Sequence, residues 1–266
     1  MTSPAWQPDV ARVAGAPLRW LAGWWQIVFF GAALLVLALS PRSYTSETRG
    51  ALMRHLYVDT APILGWFTGL CALLTLVITR IVVVTALSYG LSRYALEMVI
   101  RVLVLELIPL TAALFVALRC TIPNGAALAE MRRNGRFDAV RQRGLDPVVT
   151  LALPRALAGI FATITLAALS CVVALVLAYL AVYGGTTAGL PAYTHVFGHV
   201  FDPSVSLIFV LKTLFFSLAV SLIPMASGLY DVEGDGSRES AALQGLVRMF
   251  AVLLLLEAAS LAVNYS

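Results

Sequence analysis

The stretch APILGWFTGLCALLTLVIT, residues 61–79, decides the fold class of this chain. It contains no charged residue, and its length is close to the roughly 20 residues that a helix needs to cross the hydrocarbon core of a bilayer. A helix suits that environment because it pairs its own backbone hydrogen-bonding groups where no water can do so. The stretch therefore predicts a transmembrane helix.

The whole chain has the composition of a membrane protein. Of its 266 residues, 60% are hydrophobic and only 12% are charged. Soluble domains are roughly 45–50% apolar and about 25% charged. The composition therefore excludes a water-soluble globular class.

Further apolar stretches extend this pattern along the chain. Arg80 interrupts the first stretch, so we expect one long, kinked element over residues 61–92. Pro154 is expected to bend a later one. The predicted spans cover residues 61–92, 94–118, 148–183, 205–229 and 241–263. The sequence therefore predicts an all-α integral membrane protein with five transmembrane helices.

The N-terminal part of the chain is expected to lie at the membrane surface. Residues 1–20 form an N-terminal segment without the features of a cleaved leader. Residues 21–40 are expected to form a membrane-embedded interfacial helix, because Trp20, Trp24 and Trp25 gather at its start and aromatic rings prefer the headgroup level. A spanning helix is the alternative. Residues 42–59 are expected to be a polar connector.

The most hydrophilic region separates the second and third spans. Residues 119–147 contain six arginines, and an excess of arginine predicts the cytoplasmic side. Within this region a helix is expected over residues 126–143, between Pro-Asn-Gly at 123–125 and Gly144. Residues 184–204 have no Lys or Arg and are expected on the opposite side. A short acidic loop is expected at residues 230–240.

Several charged residues fall inside the predicted spans, where charge is costly unless it faces protein or water. Glu97 and Arg101 stand four apart in the order that favours an ion pair on a helix. Glu106 has no partner four residues away; it is expected either to line a lipid path or to be hydrogen-bonded between helices. The sequence leaves open whether Lys212 and Glu257, in two later spans, meet each other.

The sequence predicts no catalytic or metal site in this chain. Lys212 is the only lysine and does not follow a glycine-rich turn, so a phosphate-binding loop is absent and ATP hydrolysis is expected from a separate chain. His195 and His199 stand four apart with Asp202 nearby, but no third ligand of known geometry completes a metal site. No cofactor and no nucleic-acid partner are expected.

Short motifs spread over most of the chain carry a family resemblance. They are RHLY at 54–57, LELIPLTAAL at 105–114, Arg119, MR at 131–132, LDP at 145–147, LPR at 153–155, AGI at 158–160, KT at 212–213 and GLYD at 228–231. With these motifs, the chain resembles the MlaE-type permeases, which are membrane subunits of bacterial MCE-associated ABC lipid transporters and also occur in the chloroplast envelope. The matching permease domain covers residues 55–266.

The resemblance implies an assembly in the bacterial inner membrane. It implies a homodimer with an outward-facing cavity for phospholipid or a related lipid, and a periplasmic MCE-domain protein that passes the lipid onward. It also implies that a helix within the coupling region, residues 119–147, sits in a groove of a separate ABC ATPase. The residues expected to couple to this ATPase are Met131, Arg132, Arg133, Arg136, Phe137, Asp138, Val140 and Arg141.

The chain departs from the family pattern at the same surface. Gly135 and Arg141 stand where the family has acidic coupling residues, and Leu105 and Ile108 replace an Arg and a Gly of its membrane motif. The change of charge favours an ATPase with a more acidic groove. Alternatively, the arginines only fix topology or touch anionic lipid headgroups.

A lipid path needs an apolar wall that accepts acyl chains. Residues on the first two full spans are expected to supply it, although ordinary packing is the alternative for each. They are Trp66, Phe67, Leu70, Leu73, Leu74, Val77, Met98, Val102, Leu105 and Glu106.

Two hypotheses of other classes stay open at this stage. The chain could be an ATP-independent lipid scramblase or an assembly scaffold, since its coupling region is altered. It could also be an intramembrane lipid enzyme, which would require Glu97, Glu106, His195 and His199 to converge at one depth.

Overall fold

The computed structural model describes residues 16–90, 92–230 and 238–265, and every regular element in these ranges is helical. The helices are α1 (Ala16–Leu39), α2 (Ser46–Ser88), α3 (Ser92–Val99), α4 (Ile108–Val116), α5 (Ile122–Arg133), α6 (Arg136–Gln142), α7 (Leu153–Tyr183), α8 (Leu190–Val200), α9 (Pro203–Tyr230) and α10 (Arg238–Tyr265). Three π-helical segments connect some of them: Ile100–Leu107, Ala117–Thr121 and Val148–Ala152. The side chain of Trp20 and most of the acidic loop predicted at residues 230–240 lie outside the described part of the chain.

Five helical stretches are long and apolar enough to cross a membrane. They are Ser46–Ser88, Tyr94–Arg133, Val148–Tyr183, Pro203–Tyr230 and Leu243–Asn264. The apolar part of α1, Gly23–Leu39, is shorter. These elements confirm the all-α membrane class with five spans and a shorter N-terminal apolar helix.

Helix α2 is longer than the sequence predicts. The expected polar connector over residues 42–59 is wrong, because a helix begins at Ser46 and the Thr45 hydroxyl accepts a hydrogen bond from the Thr48 N–H at 3.3 Å. With 43 residues, α2 is about 65 Å long, roughly twice the thickness of the hydrocarbon core. The polar residues 46–59 therefore belong to the same helix as the apolar stretch that follows them.

Each π-helical segment ends two residues before a proline: Pro109, Pro123 or Pro154. Proline lacks an N–H and clashes with the carbonyl one turn earlier, yet at these three positions a π turn precedes it and the helix continues. The second span therefore runs from Tyr94 to Arg133.

The single helix predicted over residues 126–143 is wrong. Because the helix passes through Pro123, its first half belongs to the second span as α5. The chain then breaks at Asn134 and Gly135, where Gly135 has a φ of +70°. A left-handed backbone suits glycine and ends a regular helix. The short α6 follows as a separate element.

The spans pack through small residues. Helix α2 lies along α7, and α9 packs against α10, α7, α5 and α1. A Cβ added to Gly125 of α5 would stand 2.6 Å from the Pro224 carbonyl oxygen, and one added to Gly159 of α7 would stand 2.7 Å from the Ser221 Oγ. Such close approach is how membrane helices gain contact where lipid tails remove the hydrophobic driving force.

Candidate functional site

The arginine-rich segment, residues 119–147, comprises the end of the second span and the short α6, and it is firmly attached to the bundle. Arg132 donates a hydrogen bond to the Leu229 carbonyl oxygen at the end of α9. Phe137, on α6, is only 8% exposed and packs into the main hydrophobic core. Arg155 of α7 donates to the Leu151 carbonyl at 2.5 Å, and its Nη2 lies 3.8 Å from the Met131 sulfur. Movement of this segment would therefore be transmitted to two other spans.

The outer surface of the segment is basic. Arg133, Arg136 and Arg141 are exposed, and Val140 is half-buried. Arg141 lies 3.8 Å from Asp138, which is the separation of a loose, exposed ion pair. Since Phe137 is buried within the chain, the surface left for a partner is largely polar, and arginine is its most frequent residue.

Asp59 joins the start of the first full span to this segment, and sequence analysis did not identify it. The Asn124 side chain donates to an Asp59 carboxylate oxygen at 3.0 Å, and the Cys120 thiol donates to the Asp59 carbonyl at 3.2 Å. His55 stands one turn earlier, 3.7 Å from the same carboxylate oxygen. The only signal in the sequence was an acidic residue at the edge of an apolar stretch.

This junction gathers basic residues at one end of the bundle. Asp59 lies level with α5, so the preceding turns of α2, with exposed Arg49 and Arg54, lie at the same end as the arginine-rich segment. Arg80 stands 21 residues further along α2, about 31 Å away at the helical rise of 1.5 Å per residue. The positive charge that decides membrane orientation is therefore concentrated at one end.

A buried polar cluster joins the second, fourth and fifth spans. Lys212 of α9 forms ion pairs with Glu106 of the second span and with Glu257 of α10, the latter at 2.8 Å. The Asn264 side chain lies 3.5 Å from the other Glu106 oxygen. Sequence analysis named the three charged residues but could not bring them together, because they stand far apart along the chain.

The remaining intramembrane pair is local. The Nε of Arg101 donates to Glu97 at 3.0 Å, which confirms the ion pair expected from their spacing. Both side chains are half-buried. Because this pair is separate from the Lys212 cluster, Glu97 and Glu106 do not share one partner.

The residues predicted to line a lipid path divide by exposure. Phe67 is 1% exposed and its ring packs on Phe115 with centroids 5.0 Å apart, and Leu105 is also buried within the chain. Glu106 belongs to the buried cluster and Leu74 is half-buried. The exposed members are Trp66, Leu70, Leu73, Val77, Met98 and Val102. Only these present an apolar surface outside the chain's own core.

The two histidines lie on α8, within residues 184–204, which the sequence analysis expected on the side opposite the arginine-rich segment. His195 and His199 are exposed, and no group of three or more potential metal-binding side chains occurs among the described residues. Tyr193 on the inner face donates to the Leu175 carbonyl at 3.0 Å, and burial raises the pKa of its phenol. Helix α8 is thereby tied to α7.

Comparison with protein families gives one match. A family model described as Permease MlaE matches residues 52–263. The match begins within the polar extension of α2 and ends within the fifth span, so it includes both the arginine-rich segment and the three charged residues of the buried cluster. No curated protein sequence matches the chain.

Proposed function

Because this chain belongs to the MlaE permease family, a component of MCE-associated ABC lipid transport systems, we propose that it moves phospholipid or a related lipid. The members of this family are non-catalytic transmembrane components. In the proposed system, a separate ABC ATPase hydrolyses ATP, and a periplasmic MCE-domain protein exchanges lipid with the permease at the bacterial inner membrane. Two copies of the chain would enclose the lipid.

The attachment of the arginine-rich segment is the observation that supports this proposal most. A coupling element must meet its partner through an exposed surface and transmit force through a rigid connection. The exposed arginines of α6 supply the first, while Phe137 and the bond from Arg132 to Leu229 supply the second. A loop that only fixed topology would not need these internal anchors.

The charge of the segment specifies the partner surface. Across residues 119–147, five exposed arginines outnumber three exposed acidic residues, Glu130, Asp138 and Asp146. We therefore expect the groove of the ATPase to be acidic, because complementary charge steers association and rejects wrong partners. The resemblance implies acidic coupling residues on the permease, whereas here the permease surface would be basic and the ATPase groove acidic.

Co-purification tests the coupling surface. We expect the triple variant R133E/R136E/R141E to lose the ATPase that co-purifies with the wild-type chain. The matched control is R42E/R49E/R54E, which makes the same change of net charge at exposed arginines outside the segment. Retention of the ATPase by the first variant would refute the coupling role.

Labelling tests the orientation. A single cysteine at Arg136, in a chain whose buried Cys71, Cys120 and Cys171 are replaced by Ala, should react with a membrane-impermeant maleimide only after the cells are permeabilised. A single cysteine at His195 should react in intact spheroplasts. The opposite pattern would place the arginine-rich segment outside and exclude a cytoplasmic ATPase as its partner.

The proposed lipid path uses the exposed members of the predicted set. Trp66, Leu70 and Val77 on α2, with Met98 and Val102 on the second span, form apolar surface that acyl chains or a second copy would cover. The scramblase alternative is tested in proteoliposomes. Lipid transfer that continues with a hydrolysis-deficient ATPase would favour it over ATP-driven transport.

A further inference from the structure

The charges of the buried cluster do not cancel. Lys212 supplies one positive charge to two carboxyl groups, those of Glu106 and Glu257. The exposed fractions of the three side chains are 2%, 11% and 15% respectively. If both carboxyl groups were ionised, the cluster would carry a net charge of −1 between three membrane spans.

The surrounding groups do not supply the missing charge. Among the described residues, Lys212 is the only cation that contacts either carboxyl group, and Asn264 contributes a neutral amide. On the same span as Glu106, Arg101 is occupied by Glu97. From α7, the Cys171 thiol donates to the carbonyl of Val104, two residues before Glu106.

An uncompensated charge is expensive at this position. Removing one ion from water costs several kcal/mol even after the protein relaxes, and charged groups within membrane spans normally pair with each other. Glu106 and Glu257 approach the same Lys212 ammonium from two different spans. Two carboxylates only accept hydrogen bonds, whereas a protonated carboxyl can donate one to the other.

We propose that this cluster is a binding site for one proton, which Glu106 and Glu257 share. The bound proton makes the cluster neutral, with one carboxylate paired to Lys212 and one carboxylic acid completing the contact. Both carboxyl groups contact the same Lys212 ammonium, so the proton is assigned to the pair and not to either residue alone. Movement that separated α10 from α9 and opened the cluster to water would exchange this proton with the solvent.

Infrared spectroscopy of the purified full-length chain in lipid nanodiscs tests the inference without any transport assay. A carboxylic acid gives a carbonyl stretching band that a carboxylate lacks. We expect the wild type at neutral pH to show such a band, with a shift in D2O, and both E106Q and E257Q to lose it. In each variant the remaining carboxylate forms a one-to-one pair with Lys212.

The control is E97Q, because Glu97 already has its own arginine and carries no excess charge. This variant should keep the band at wild-type intensity. A thermal midpoint measured on each sample identifies a variant that fails to fold, in which case the other glutamine variant decides. A spectrum without the band, or a band that persists in a folded E106Q or E257Q variant, would overturn the inference.

Discussion

The close crossing of α5 and α9 predicts that adding a methyl group at Gly228 destabilises the chain. A Cβ added to Gly228 would stand 2.5 Å from the Gly125 carbonyl oxygen, so ordinary contact at 3.4 Å requires the helices to separate by about 0.9 Å. The obstacle is backbone, which cannot rotate away. We expect G228A to destabilise the chain by up to about 2 kcal/mol, because an overpacking cost of about 1–3 kcal/mol is partly offset by the roughly 1 kcal/mol that alanine gains over glycine in a helix.

The matched control for this prediction is G65A. Gly65 also lies within a helix, but a Cβ there would meet nothing within 4 Å. We therefore expect G65A to keep or raise the thermal midpoint in detergent, and G228A to lower it. Separation at Gly228 would also loosen the neighbouring bond from Arg132 to Leu229. A midpoint for G228A equal to that of G65A would refute the close packing on which this reasoning depends.

Three further predictions follow from other contacts. T45A should cost about 1 kcal/mol, seen as faster hydrogen exchange in the first turn of α2, because the Thr45 hydroxyl caps that turn; unchanged exchange would show that the cap contributes nothing. K212M should destabilise the bundle by about 3–5 kcal/mol, and K212M/E106Q/E257Q should recover most of the thermal midpoint, because only the single variant leaves a buried carboxylate without its cation. F137A should reduce co-purification of the ATPase far more than V140A, since Phe137 is buried as an anchor and Val140 is not; equal effects would exclude anchoring.

The sequence predicted the number of spans because membrane insertion depends on local properties. Each stretch of about 20 apolar residues has its own favourable free energy of transfer and closes its own hydrogen bonds. The i,i+4 pair of Glu97 and Arg101 was predictable for the same reason, since a single helix fixes its geometry. Family motifs added the expectation of a permease, which the match to residues 52–263 confirms.

Element boundaries were less predictable where polarity and helicity diverge. The polar residues after Ser46 looked like a connector, yet a helix outside the apolar layer remains stable when it continues a span and is capped by Thr45. Prolines were expected to punctuate helices, but Pro123 is accommodated by a π-helical turn. Neither outcome is encoded in the residue type alone.

Hydropathy and charge along the chain were enough to predict five membrane spans and an arginine-rich segment at residues 119–147. They did not reveal that Lys212 meets both Glu106 and Glu257, that Phe137 is an internal anchor, or that Asp59 holds α2 against α5. Apolarity and helical periodicity act within one segment, whereas these contacts depend on how separate helices are rotated and set in depth against each other, which close packing of small residues fixes.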